Sequence, residues 1–77
     1  MRRIVFEEDA ELDLLRLPPD EAEAVWLAVN RFATTGVGFL RRIEDGGLSL
    51  YVGSCVVSVV VTMEEVRVLA VVTRRGA

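Results

Sequence analysis

Arginine carries all the positive side-chain charge of this chain: it has nine arginines and neither lysine nor histidine. Guanidinium groups grip phosphate or carboxylate oxygens through paired hydrogen bonds, but they do not give up protons near neutral pH. The lack of imidazole removes the usual zinc sites, the Ser/His/Asp and Cys/His nucleophile arrangements, and histidine acid–base chemistry. A short set of candidates remains. Arg74 and Arg75 form a pair able to bind phosphate. Tyr51 is the single phenol, able to assist proton transfer or to stack on a base. Arg41 and Arg42 sit together in a glycine-bounded segment and could contact an RNA backbone or a partner's carboxylates. At each position the plainer alternative is a solvated charge or a tyrosine that packs. Cys55 has no histidine or lysine near it to stabilise a thiolate, so it reads as a small buried hydrophobe. Glu7-Glu8-Asp9 needs no metal, because capping and first-turn acids of a helix account for it. No metal or cofactor is expected.

The charge balance argues against a dedicated nucleic-acid binder. Net charge is −3 and the sequence pI about 4.8, where such proteins show a basic surplus. Ten of the twelve acids fall in residues 1–46, so the acidity belongs to the first half. One cysteine permits no internal disulfide, and no run reaches the roughly 18 apolar residues of a membrane span. The basic opening Met1-Arg2-Arg3-Ile4 runs at once into acids instead of an apolar signal core. A soluble cytoplasmic protein is expected, folded as one domain over residues 1–77.

The elements that must position these groups follow from periodicity. Arg3 to Phe6 reads as a short first strand. Glu8 or Asp9 then caps a helix with Ala10, Leu14 and Leu17 on one stripe and Asp13 and Arg16 turned outward. Pro18-Pro19 stops it, and Pro19 suits the first position of a second helix. There Ala22, Val25, Trp26, Val29, Phe32 and Ala33 recur at helical spacing, which makes Trp26 and Phe32 core anchors, and Gly36 ends the run. Residues 36–47 read as a loop with Phe39-Leu40 turned inward. Leu48 to Val52 alternates as a strand, Gly53-Ser54 signals a two-residue turn, and Cys55 to Thr62 is a strand apolar on both faces. Val66 to Thr73 is the last strand. The expected fold class is α+β, a β-α-α-β-β-β order with a two-helix hairpin on one face of a small antiparallel sheet, the last three strands forming a meander.

That order, with its residues, resembles the RelE/ParE superfamily of bacterial type II toxins. Val5-Phe6, Ala10, Asp13-Leu14 and Leu17-Pro18 are similar to the family's opening strand and its A-x-x-D-L-x-x-L-P helix. Leu48 to Gly53 resembles the strand that enters a V-G-x-Y-R-type turn, and Val66 to Val72 with Thr73-Arg74-Arg75 resembles the final strand and its H-R-type ending. The resemblance implies a concave sheet face which, in the ribonuclease branch, docks in the ribosomal A site and cleaves mRNA. Catalysis of that kind uses cations that stabilise charge on the phosphate, and a tyrosine, histidine or lysine that helps proton transfer. Here Arg74, Arg75 and Tyr51 would be the catalytic set, and Arg41, Arg42 and Arg67 the RNA or partner contacts. The pattern departs from the family where Ser49 and Tyr51 stand in place of basic residues, and where Cys55 or Val56 replaces an arginine. The sequence also stops at Ala77, before the C-terminal tyrosine or helix of many members.

Three functions are compatible with this pattern. The first is a toxin homologue of a toxin–antitoxin module that acts mainly by protein binding, with weak or no ribonuclease activity. The second is an active ribosome-dependent mRNA endoribonuclease that inhibits translation. The third is a ParE-like inhibitor of gyrase, which requires no catalysis. The expected partner is an antitoxin or a second copy, a homodimer formed through the sheet's second face, with ribosome and mRNA as further possibilities. The second face is the reason: the strand from Cys55 carries Val57, Val59 and Val61 on one side and Val56 and Val60 on the other.

Overall fold

Two prolines and a glycine set the helical layer. In the computed structural model, which describes residues 2–42 and 47–74, β1 spans Arg3–Phe6, α1 Glu8–Arg16 and α2 Pro19–Thr35. Leu17 leaves helical geometry ahead of Pro18, and Pro19 opens α2 as the sequence predicts. The N–H of Gly36 closes α2 onto the carbonyl of Phe32 at 2.8 Å. The first helix starts differently from expectation. Its cap is Glu7, whose side chain makes no capping bond because its carboxylate is committed elsewhere.

Four further strands follow: β2 Phe39–Arg42, β3 Leu48–Val52, β4 Cys55–Val61 and β5 Glu65–Thr73. They pair in the order β1-β5-β4-β3-β2. This is one strand more than the four read from the sequence, and the sheet is mixed, not purely antiparallel. β1 lies parallel to β5, with Ile4 beside Val66 and Phe6 beside Val68. The segment read as a loop contributes β2, which pairs Leu40 with Leu50 and Arg41 with Ser49. Gly38, just before β2, leaves room for the Leu50 side chain, since a Cβ there would lie 2.7 Å from Leu50 Cδ1 and the leucine would have to shift. Leu40 is exposed at the sheet edge and does not tuck inward. At the β3–β4 turn, Gly53 takes a φ of 57° and Ser54 stays at negative φ, which matches the strands' twist and fixes Val52 opposite Cys55.

The core lies between the helices and one sheet face. Val25, Val29, Phe32 and Ala33 of α2 and Ala10 of α1 meet Leu50, Cys55, Val57, Val59, Val66, Val68 and Val71, all buried. Trp26 is not among them. It is 51% exposed, where Phe32 is 6% exposed. One residue advances a helix by roughly 100°, so with Val25 at the centre of the buried stripe Trp26 falls on its margin. The expected pair of aromatic anchors is one anchor, Phe32.

A bulge resets β5. Val59 pairs with Val68 but Ser58 pairs with Ala70, so Leu69 is the extra residue. Val71 therefore joins Val66 and Val68 in the core, and Ala70 and Val72 turn to the other face, opposite to the parity that unbroken alternation gives. β1 ends beside Val68, which leaves the rest of β5 a bare edge. Asp13 covers it: its Oδ2 accepts the N–H of Val71 at 3.0 Å. The residue read as outward-facing thus ties α1 to the sheet. Asp13→Ala should lower stability by about 1–3 kcal/mol, the range for a hydrogen bond to a charged group, and Asp13→Asn by less, because its amide oxygen still accepts. Chemical denaturation of both variants checks the order; an Asp13→Ala variant as stable as the parent would mean the bond contributes nothing.

Candidate functional site: the open sheet face

The face away from the helices collects four of the six candidate groups, Tyr51, Arg41, Arg67 and Arg74. Cross-strand pairing orders it in rows. Tyr51, Val56 and Val72 form one row across β3, β4 and β5. Arg41, Ser49, Ser58 and Ala70 form the next, and Val60, Arg67 and Val5 the third. The middle row is built of small side chains between taller ones, so the floor is shallow and carries two hydroxyls side by side. The second face is therefore apolar in part only: Val5, Val56, Val60 and Val72 remain, divided by serines and by an ion-pair cluster.

That cluster fixes Arg67. Its guanidinium donates to Glu7 Oε2 at 2.9 Å and pairs with Glu65 Oε2 at 2.8 Å. Arg3 approaches Glu65 Oε1 at 3.5 Å from the neighbouring strand. Two guanidiniums meet two carboxylates and the cluster is neutral. The hydrogen bond to Glu7, and then the charge of Glu65, hold Arg67 above the usual arginine range. A cation so neutralised has little field left for a phosphate.

Tyr51 and Arg74, 23 residues apart in sequence, are brought together. The Arg74 guanidinium carbon lies 5.2 Å from the centre of the Tyr51 ring, a cation–π contact. The turn holds the arginine there: its Nη2 donates to the carbonyl of Gly53 at 3.1 Å, and its backbone N–H to that of Ser54 at 2.7 Å. Arg41 lies exposed on the same face, beside Ser49. Arg42 does not join them, because it pairs with Leu48 and so belongs to the opposite face. Arg67 shares the face with Tyr51 but sits two strands and two rows away, roughly 15 Å by sheet geometry. Arg75 lies outside the described residues. Cys55 is buried against the helices, as expected.

Two contributors were missed from sequence. Ser58 is the polar residue at the parity of Val56 and Val60, and strict period-two reading of β4 would have found it. Glu7 could not be found that way, since its partner Arg67 is 60 residues distant. Among the described residues no group of acids and cysteine could hold a metal ion, and no helix is long and apolar enough to cross a membrane.

Comparison with known proteins gives a consistent relationship at the level of structure. The chain is similar to a chain of the RelBE2 toxin–antitoxin complex from Mycobacterium tuberculosis, with 26% identity over 95% of this chain and 98% of that one, and a TM-score of 0.71. It is also similar to a chain of the RelB–RelE antitoxin–toxin complex from Methanococcus jannaschii, at 14% identity over 92% and 91% of the two chains, with a TM-score of 0.75. No family model and no curated protein matches the chain. Its fold, two helices on a five-stranded mixed sheet, is thus one found in chains of toxin–antitoxin complexes.

Proposed function

We propose that this chain is a RelE/ParE-type toxin homologue of a toxin–antitoxin module, acting mainly by binding another protein and retaining weak or no ribonuclease activity. The observation that carries this reading is the state of the cations on the open face. Arg67 is neutralised by Glu7 and Glu65, and Arg74 is folded onto Tyr51 and its turn. Among the described residues Arg41 is left on that face with no side-chain partner, above a floor of serine, alanine and valine. One free guanidinium is poor provision for the charge that gathers on a phosphate during strand cleavage. The same face suits a protein segment: hydroxyls and valines at the centre, with charge at both margins.

The test has two arms. Ribosomes carrying a defined mRNA in the A site should show no cleavage above background when the protein is added. Binding to free RNA should be no tighter than the roughly 10⁻⁴–10⁻⁶ M of non-specific contact at physiological salt. In the second arm, the product of the adjacent gene, expressed with this chain, should form a stoichiometric complex, and Val56→Glu should weaken it. The endoribonuclease reading retains one specific support, the Tyr51–Arg74 contact. Cleavage that disappears in Tyr51→Phe and in Arg74→Ala would put that reading first and overturn the proposal.

A further inference from the structure

The helical layer carries a stripe that the open face does not use and that touches the core only through Ala28 at its margin. Asp20, Ala24, Leu27, Ala28 and Arg31 fall at i, i+4, i+7, i+8 and i+11 of α2, within about 100° of one another around the helix. Asp20, Ala24, Leu27 and Arg31 are exposed, Leu27 at 54%. Ala24, Leu27, Ala28 and Arg31 line a shallow hollow of about 210 Å³. Among the described residues neither Asp20 nor Arg31 makes an ion pair, although the other end of the sheet pairs its charges closely.

The order of residues along this stripe is self-complementary. If a second α2 lies antiparallel across it, with the two-fold axis between the levels of Val25 and Trp26, Asp20 comes opposite the second copy's Arg31 and Arg31 opposite its Asp20. Leu27 comes opposite the second copy's Ala24 and points into the hollow between the two alanines, and the reverse insertion occurs on the other side of the axis. Each apolar knob thus meets a small-residue hole and each charge its opposite, and two alanines allow the helices to approach closely. The same patch on both copies is the arrangement a two-fold dimer demands. We infer that this chain associates with a second copy of itself through the exposed Asp20–Arg31 stripe of α2, antiparallel, and not through the sheet. The contact extends over about 17 Å of helix. That is below the size of a standard interface, so the association is weak and visible only at high concentration.

Sedimentation equilibrium up to roughly millimolar protein tests this, in the concentration range where a small interface populates dimers. The wild-type chain should show a monomer–dimer equilibrium. Asp20→Arg leaves two cations on the stripe and Arg31→Asp two carboxylates, so each variant alone should lose association by roughly tenfold or more through like-charge repulsion. An equimolar mixture of the two restores both pairs and should associate as mixed dimers. Thermal unfolding of each variant establishes that it is folded before mixing, and both positions are exposed. A wild-type chain that stays monomeric throughout overturns the inference. So does a mixture no more associated than its components, and so does a dimer dispersed by Val60→Glu on the open sheet face.

Discussion

A carboxylate introduced at Val57 will unfold the domain, whereas one introduced at Val60 will leave it folded. The two valines lie three residues apart on the same strand and have the same chemistry, so only their surroundings separate them. Val57 is fully buried, paired with Leu50 on one side and Val71 on the other, beneath the helical layer. No cation is available there. An unpaired charge in such a place costs several kcal/mol, or else is protonated at a comparable cost. A domain of this length has a total stability on the order of 4–11 kcal/mol, so Val57→Glu removes most of it. Val60 faces the open side, half-buried, with Arg67 opposite it on β5. A carboxylate there reaches water, beside an ion-pair cluster that is already neutral, and the expected loss is about 1 kcal/mol. Circular dichroism and urea titration of both variants decide the matter. A folded Val57→Glu variant with a near-native midpoint would mean that the faces of β4 are assigned the wrong way round.

Residues that act through local geometry made much of this fold legible. Pro19 and Gly36 bound α2 because one pre-sets φ at a helix start and the other ends it, and both effects need no tertiary contact. Gly53-Ser54 marks its turn for the same reason. Two of the misses are local, the α1 cap at Glu7 and the phase of Trp26 on α2; the rest are long-range. β2 carries no alternation of its own and becomes a strand because β3 offers it an edge, and Gly38 leaves room for the Leu50 side chain just before it. The parallel pairing of β1 with β5 joins the two ends of the chain, which no window of sequence displays. The bulge at Leu69 inverts the parity of the last strand, and nothing in a run of Val, Leu and Ala announces it. The site divides along the same line. Tyr51 and Arg74 were picked out one by one on their chemistry, and the β3–β4 turn and the pairing of Cys55 with Thr73 bring them into contact. The neutralisation of Arg67 depends on Glu7 across the β1–β5 pair, so its removal from the list of contact cations needed the structure.

Of the two aromatic residues on α2, Phe32 will prove the one that holds the layers together. Both follow the helical period, and counting apolar spacing alone cannot rank them. Phase can. Val25, Val29 and Phe32 centre the buried stripe, and Phe32 sits against the sheet near Gly38 and Leu50. Phe32→Ala removes a ring from a site that the surrounding strands cannot close over, and such truncations cost about 3–5 kcal/mol. Trp26 is the larger side chain and would rank first by volume, but half of its surface already meets water. Its truncation forfeits contacts along one edge of the ring only, so Trp26→Ala should cost on the order of 1 kcal/mol. Denaturant titration of both variants gives the ranking, and an unchanged slope against denaturant guards against a shift in the denatured state. Trp26 also supplies its own check, as the single tryptophan of the chain. Its native emission should already resemble that of a solvated indole and move little on unfolding. A strongly blue-shifted native emission, together with a Trp26→Ala loss matching that of Phe32→Ala, would mean that α2 is rotated toward the indole and that the buried stripe is centred elsewhere.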